Sequence, residues 1–164
     1  MALAGRGCHH GESQRRPRLR LRPARVILAF DFGLRRIGLA SGDTLTRTAA
    51  PRATVAHHAS GPDWAAIDRE VRSLGPDQLV VGAPYNADGS PGSLAPSADA
   101  FARALTERYG LTVERIDERY SSTAATSLLR EQRASGQRKR QVGKGDIDSA
   151  AAAVMLASYL EQQP

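Results

Sequence analysis

The stretch LAFDFGLRRIGLA, residues 28–40, carries an aspartate at the point where one apolar run ends and shortly before a second begins. Burying a carboxylate costs several kcal/mol unless the charge is paired or bound to a cation. The apolar block that ends in DFG predicts a strand over residues 25–32, and a second strand is predicted over residues 37–41. A connection this short requires an antiparallel hairpin. The stretch therefore predicts a hairpin whose first strand ends with Asp31.

Apolar periodicity and turn residues predict the elements that follow the hairpin. They are a strand within residues 46–57, a helix over 62–74, a strand over 77–82, a loop over 83–93, a helix over 97–109, a strand over 111–118, a helix from 121 or 122 to 134, and a helix from Asp146 or Asp148 to 160. Three antiparallel strands followed by right-handed β-α-β crossovers give a five-stranded mixed sheet with helices on both faces. The predicted fold class is α/β.

The excess of positive charge is confined to two segments of the chain. Residues 1–25 contain seven arginines and one glutamate, a net charge of +6, which leaves the other 139 residues neutral in sum. Residues 130–144, here called the basic segment, contain six basic residues and one acid. This distribution fits an acid-lined site flanked by cationic arms. We expect residues 1–24 to form a disordered basic extension and residues 25–164 to form one folded domain.

The composition limits the cellular compartments that suit this protein and the ways in which it could recognise nucleic acid. The chain has no apolar run of about 18 residues, so we expect no membrane span. A single cysteine, Cys8, cannot form a disulfide framework, which suits a reducing cytosol. Aromatic residues make up 5% of the chain, too few to indicate a platform on which bases stack. Nucleic acid would therefore be recognised through its backbone or shape.

Three acids lie at the ends of predicted elements that are far apart in the sequence. Asp31 ends the first strand, Glu118 ends the last strand, and Asp148 lies in the first turn of the final helix. These acids converge if the two strands are neighbours and the helix crosses them. Like charges raise one another's pKa, so three ionised acids require a cation, and Mg²⁺ prefers such oxygen ligands. Two ions about 4 Å apart would activate a water and stabilise the leaving oxygen in phosphodiester hydrolysis.

Each acid also has a structural alternative. Asp31 could be a turn residue, because aspartate favours turns. Glu118 could be a surface acid paired with a neighbouring arginine, Arg115 or Arg119. Asp148 could be favoured only by the dipole at the N-terminus of its helix.

Asp117 competes with Glu118 for the place at the end of the last strand. Alternation puts two consecutive residues on opposite faces of a strand. Ile116 shares a face with both Glu114 and Glu118. The pattern of the strand therefore does not decide which acid faces the site.

Four segments taken together resemble a known family: DFGLRRIGLASGD, LVVGAPYNADGS, DERYSS and GKGDIDSAAAAVMLASYL. In this order and spacing they are similar to the YqgF/RuvX family, Holliday-junction-resolvase-like proteins proposed as pre-16S rRNA nucleases. The similarity covers about residues 25–162. It implies a ribonuclease-H-like fold, a bacterial cytoplasmic protein, dependence on Mg²⁺ or Mn²⁺, and cleavage of structured RNA or branched DNA.

The resemblance assigns roles to individual residues. Its three acids match Asp31, Glu118 and Asp148 as metal-binding catalytic residues, and this match, not the alternation, selects Glu118 over Asp117. Its basic residues would contact substrate phosphates and match three further positions: Arg36, Arg119 and Lys144. Independently of the resemblance, the charge of the basic segment predicts phosphate contacts there, with Arg138 and Arg140 as the expected residues.

The expected function is that of a hydrolase acting on ester bonds, a metal-dependent endonuclease that processes the 5′ end of pre-16S rRNA. Two other functions stay open: resolution of Holliday junctions in branched DNA, and RNA binding without catalysis. A resolvase that cuts a symmetric junction on two strands would need a homodimer. An actin-like ATPase is disfavoured, because that function needs two such domains and a second glycine-rich phosphate loop.

Overall fold

The computed structural model describes residues 23–83, 92–117 and 143–164, and six strands in this part of the chain form one mixed sheet. The strands are β1 Val26–Asp31, β2 Arg36–Asp43, β3 Thr48–His58, β4 Gly61–Pro62, β5 Gln78–Ala83 and β6 Thr112–Asp117. Their order across the sheet is β4-β3-β2-β1-β5-β6. Strands β1 to β4 pair antiparallel, whereas β5 pairs parallel with both β1 and β6. The predicted α/β class, with antiparallel strands followed by parallel crossovers, is confirmed.

The sixth strand, β4, is one that the sequence does not predict, because two residues are too short to show a pattern. It pairs with the end of β3 after a reversal at Gly61, whose φ of 124° favours glycine. The predicted helix start at residue 62 is therefore wrong. Helix α1, Trp64–Leu74, begins two residues later, and the Asp63 carboxylate caps it by accepting a hydrogen bond from the Ala66 N–H at 3.1 Å.

Two further helices follow in the described residues, α2 Ala95–Tyr109 and α3 Lys144–Glu161. Helix α2 starts two residues before the predicted position, and a proline occupies its first turn, where proline is tolerated. The expected start of α3 at Asp146 or Asp148 is also wrong. Asp146 accepts a hydrogen bond from the Gly143 N–H at 3.0 Å from inside the first turn. Among the helices described, none is long and apolar enough to cross a membrane.

Several predicted features lie outside the described residues. They are residues 1–22 of the predicted extension, most of the predicted loop over 83–93, the predicted helix from 121 or 122 to 134, and all of the basic segment up to residue 142. The division of the chain into an extension over 1–24 and a domain over 25–164 stays a prediction.

Strand β1 is the centre of the fold and separates two apolar layers. Leu28 and Phe30 point to the layer that contains α1 and α2, whereas Ile27 and Ala29 point to α3. All four side chains are fully buried. Helices therefore cover both faces of the sheet, as the sequence predicts, and the residue that ends β1 lies at the edge of the apolar core.

A hydrogen-bond chain holds the C-terminal end of α3 on the sheet. The Tyr159 hydroxyl donates to Glu114 Oε2 at 2.7 Å and accepts from Gln78 Nε2 at 2.9 Å. Burial, together with the hydrogen bond to Glu114, raises the pKa of Tyr159 to about 12. Tyr159 therefore remains a neutral hydroxyl at physiological pH and bridges β5, β6 and α3.

Replacing Tyr159 with phenylalanine should lower the free energy of unfolding by about 1–3 kcal/mol, because the buried Gln78 amide loses its acceptor. Urea denaturation at neutral pH measures the change. Ser158→Ala is the matched control, since Ser158 is exposed on the same helix, and it should shift the free energy by less than about 0.5 kcal/mol. Equal stability of Tyr159→Phe and the wild type would show that these hydrogen bonds do not hold α3 on the sheet.

Candidate active site

Asp31 lies at the carboxyl end of the central strand. Its pairing partners are Gly38 in the antiparallel strand β2 and Gly82 in the parallel strand β5. Ile27 and Ala29 face α3, so alternation along β1 places Asp31 on the same side of the sheet. Asp31 is a strand residue, and the alternative that it belongs to the turn is wrong.

Gly38 is the point at which helix α3 touches the sheet. A Cβ atom at Gly38 would overlap with the backbone carbonyl oxygen of Asp148. The helix therefore approaches β2 as closely as a bare backbone allows, and only glycine fits there. Because Gly38 is also the direct partner of Asp31, the structure brings Asp31 and Asp148 to the same glycine.

A second contact fixes the first turn of α3 against β3. The Thr54 hydroxyl donates to the backbone oxygen of Gly145 at 2.6 Å. Gly145 lies close to the side chain of Thr54, at ordinary van der Waals distance. Sequence reasoning overlooked Thr54, and a threonine within an alternating strand offers no signal that its hydroxyl meets a helix 91 residues away.

Arg36 forms an ion pair with Asp148. The Arg36 Nε atom donates to Asp148 Oδ2 at 2.6 Å, and the two side chains are 40% and 28% exposed. Arg36 precedes Gly38 by two residues on β2 and so shares its face. The family resemblance implies a phosphate contact for Arg36, whereas the structure pairs it with one of the expected metal ligands. An ion pair this exposed contributes only about 0–1 kcal/mol to stability.

Lys144 is the first residue of α3 and is exposed to solvent. It precedes Asp148 by four residues, so both side chains lie on the same side of the helix, one turn apart. The structure thus places a second cation one helical turn from Asp148. This position is compatible with the phosphate contact that the sequence predicts for Lys144.

Strand β6 shows which of its faces lies toward α3. Glu114 accepts the hydrogen bond from the helix, and Ile116 packs against the apolar cluster beneath the helix. Asp117 ends the strand. Glu118 follows it and lies outside the described residues, as do three predicted phosphate contacts: Arg119, Arg138 and Arg140.

Within residues 23–83, 92–117 and 143–164, no group of three or more histidine, cysteine, aspartate or glutamate side chains is placed to hold a metal ion. The predicted set of three acids has one member, Glu118, beyond these residues. The other two, Asp31 and Asp148, are the pair that meets at Gly38. The described part of the site therefore supplies two predicted ligands, a guanidinium paired with one of them, and a lysine one helical turn before that ligand.

A model of the RuvX family, described as Holliday junction resolvase, matches residues 25–162. The chain belongs to this family. Membership confirms the resemblance seen in the sequence and the expected class of enzyme, a nuclease among the hydrolases that act on ester bonds.

Two relatives of this RuvX-family chain carry the name "Putative pre-16S rRNA nuclease". The protein from Xanthomonas axonopodis pv. citri (strain 306) is 43% identical over 140 residues, which cover 85% of this chain and 90% of the relative. The protein from Salmonella arizonae is 41% identical over 137 residues, which cover 84% of this chain and 96% of the relative. The likeness thus extends over most of the length of all three proteins.

The fold is shared with the Holliday junction resolvase of fowlpox virus. That structure aligns with a TM-score of 0.52 at 15% identity and covers 84% of this chain and 99% of the viral chain. The fowlpox virus resolvase in complex with substrate Holliday junction DNA gives 0.51 at 14% identity, over 83% and 97% of the two chains. At these identities the likeness concerns the fold alone, and it confirms the expected resolvase-type, ribonuclease-H-like architecture.

Replacing Gly38 with alanine should damage the site by forcing α3 away from β2. We expect the free energy of unfolding to fall by about 1–3 kcal/mol, because the added methyl group meets backbone that cannot rotate away. Nuclease activity should fall as well, since Asp148 moves away from Asp31. Denaturant unfolding and an assay of metal-dependent cleavage measure the two effects.

Gly145→Ala is the control for this substitution. It adds the same methyl group to the same helix–sheet contact, but the nearest atom, Cβ of Thr54, would be 3.5 Å away. We expect Gly145→Ala to keep both stability and activity. If Gly38→Ala were as stable and as active as Gly145→Ala, the close approach of α3 would not position Asp148.

Proposed function

We propose that this RuvX-family protein is a metal-dependent endonuclease that processes the 5′ end of pre-16S rRNA. The observation that carries the proposal is that Gly38 pairs with Asp31, at the end of a buried central strand, and also lies against the backbone of Asp148. The names of the relatives from Xanthomonas and Salmonella support the choice of substrate. Processing of ribosomal RNA would be a cytoplasmic activity.

The donor atoms at the site fit a divalent cation. Carboxylate oxygens are hard ligands of the kind that Mg²⁺ and Mn²⁺ prefer, and the Asp148 carboxylate already holds a cation, the Arg36 guanidinium, at 2.6 Å. Asp31, Glu118 and Asp148 would hold the metal, and we propose two ions. Such ions would supply an activated water and stabilise the leaving oxygen during phosphodiester hydrolysis.

Glu118 is proposed as the third acid on the strength of its sequence position. Glu114 and Ile116 both face α3 in the described part of β6. If the alternation of β6 continued for one more residue, Glu118 would share the face of Ile116. This supports Glu118 rather than Asp117 as the ligand from this strand.

The substrate would be held through its phosphates. Arg36 on β2 is paired with Asp148, and Lys144 precedes Asp148 by one turn of α3. Arg119, Arg138 and Arg140 are proposed as further contacts. Guanidinium groups bind phosphate oxygens with two hydrogen bonds, which suits recognition of a folded RNA by its backbone.

Branched DNA is the second candidate substrate. The family is described as Holliday junction resolvase, and the fowlpox virus resolvase with a similar fold has been captured with Holliday junction DNA. Two cuts in a symmetric junction would require a homodimer. A third candidate, an RNA-binding module without catalysis, shares the substrate contacts and differs only in turnover.

Asp31→Asn should reduce cleavage by about a hundredfold or more, because metal-derived stabilisation of the transition state is worth several kcal/mol. The assay compares a labelled pre-16S rRNA fragment with a four-way DNA junction, in Mg²⁺, in Mn²⁺ and in EDTA. Glu107→Gln serves as control, since it removes one negative charge from an exposed site on α2. Undiminished cleavage by Asp31→Asn would refute the proposed site, and preference for the junction would select the second substrate.

The double variant Arg138→Ala with Arg140→Ala should weaken nucleic-acid binding and flatten its dependence on salt. Each lost phosphate contact lowers the slope of log K against log salt by about 0.7–0.9. Fluorescence anisotropy over a range of salt concentrations measures the slope. Arg69→Ala with Arg103→Ala removes the same charge from exposed positions on α1 and α2, on the other face of the sheet. Equal slopes for the two double variants would remove the basic segment from the interface.

A further inference from the structure

The guanidinium of Arg36 neutralises the charge of the Asp148 carboxylate, which is also an expected metal ligand. Its Nε atom donates to one oxygen of that carboxylate, Oδ2, at 2.6 Å. Asp148 is also the acid that meets Asp31 at Gly38. A positive charge bound directly to a ligand carboxylate repels a divalent ion at the same group. Arg36 and a bound metal ion would therefore compete for Asp148.

The ion pair between Arg36 and Asp148 is easily broken and contributes little to the stability of the fold. Both side chains are partly exposed, at 40% and 28%, and the pair involves one nitrogen and one oxygen instead of a two-pronged contact. Such pairs are worth little in water, so breaking the contact costs little. Arg36 stands at the first position of β2, where its long side chain can turn toward a ligand at the edge of the sheet.

We propose that Arg36 couples metal loading to the binding of nucleic acid, an inference that rests on the proposed metal-dependent nuclease function. Without nucleic acid, Arg36 neutralises Asp148 and keeps the affinity for divalent cations low. A substrate phosphate takes over the guanidinium and frees Asp148 for the metal. The enzyme thus completes its metal site when the substrate is in place.

Thermodynamic linkage makes the proposal quantitative. If nucleic acid raises the affinity for metal by some factor, metal must raise the affinity for nucleic acid by the same factor. Removal of Arg36 should abolish both effects together. If Arg36 instead oriented Asp148 toward the metal, the opposite result would be expected: loss of Arg36 would weaken metal binding.

The test measures Mn²⁺ binding to the full chain by electron paramagnetic resonance, with and without a short RNA hairpin whose phosphorothioate linkages resist hydrolysis. The variants are Arg36→Gln and the control Arg35→Gln. Arg35 carries the same charge one residue away, is exposed, and lies before β2. Thermal unfolding of each variant verifies that the fold is kept.

We expect Arg36→Gln to bind Mn²⁺ about tenfold more tightly than the wild type when RNA is absent, as removal of one positive charge a few ångströms from a divalent ion predicts. We expect RNA to raise the affinity of the wild type for Mn²⁺, and this increase should disappear in Arg36→Gln. Arg35→Gln should change the affinity by about twofold or less, because a more distant exposed charge is screened by salt.

Weaker or unchanged Mn²⁺ binding by Arg36→Gln would overturn the coupling while leaving the nuclease proposal intact. Absence of Mn²⁺ binding to the wild type in both conditions would instead overturn the proposed metal site, and the coupling with it. Asp31→Asn distinguishes specific binding from surface binding, since it should lose the bound Mn²⁺ whether or not Arg36 is present.

Discussion

The close contact between α3 and β2 is the constraint on which the rest of the structure depends. Along the face of β2 that meets the helix, Gly38 and Gly42 lack the side chains that would push the helix away: a Cβ at Gly42 would lie 2.8 Å from Leu156 Cδ2. The same approach brings the backbone of Asp148 to the partner of Asp31. The same close contact therefore packs the helix on the sheet and positions the two acids, and a bulkier residue at position 38 would disturb both.

Charge pairing has two different uses in this fold. Arg108 donates two hydrogen bonds to Asp68 and holds the pKa of that carboxyl far below its usual range, which ties α2 to α1 on the face opposite the site. The pair of Arg36 and Asp148 has one hydrogen bond and links the first residue of β2 to the N-terminal part of α3. The first pair joins two helices through two hydrogen bonds, although its side chains are as exposed as those of the second, at 43% and 26%. In the second pair, the Asp148 carboxylate could bind another cation in place of Arg36.

The sequence predicts much of the fold because its main signals are local. Apolar alternation and short turns are sufficient for the β1–β2 hairpin, for the parallel crossovers, and for helices on both faces. Helix starts are less predictable, since they depend on which polar group caps the first turn: Asp63 does so before α1, whereas Asp146 does so from inside α3. Strand β4 leaves no pattern, because it is two residues long.

The sequence by itself determined that Asp31 ends a strand, because the length of an apolar run and the turn after it are properties of neighbouring residues. It also determined family membership, through four segments in a fixed order. Only the tertiary structure decided that Asp148 meets Asp31 at Gly38, and that Arg36 pairs with Asp148 over a separation of 112 residues. Such contacts depend on how closely a helix packs on a sheet, and no local pattern encodes that distance.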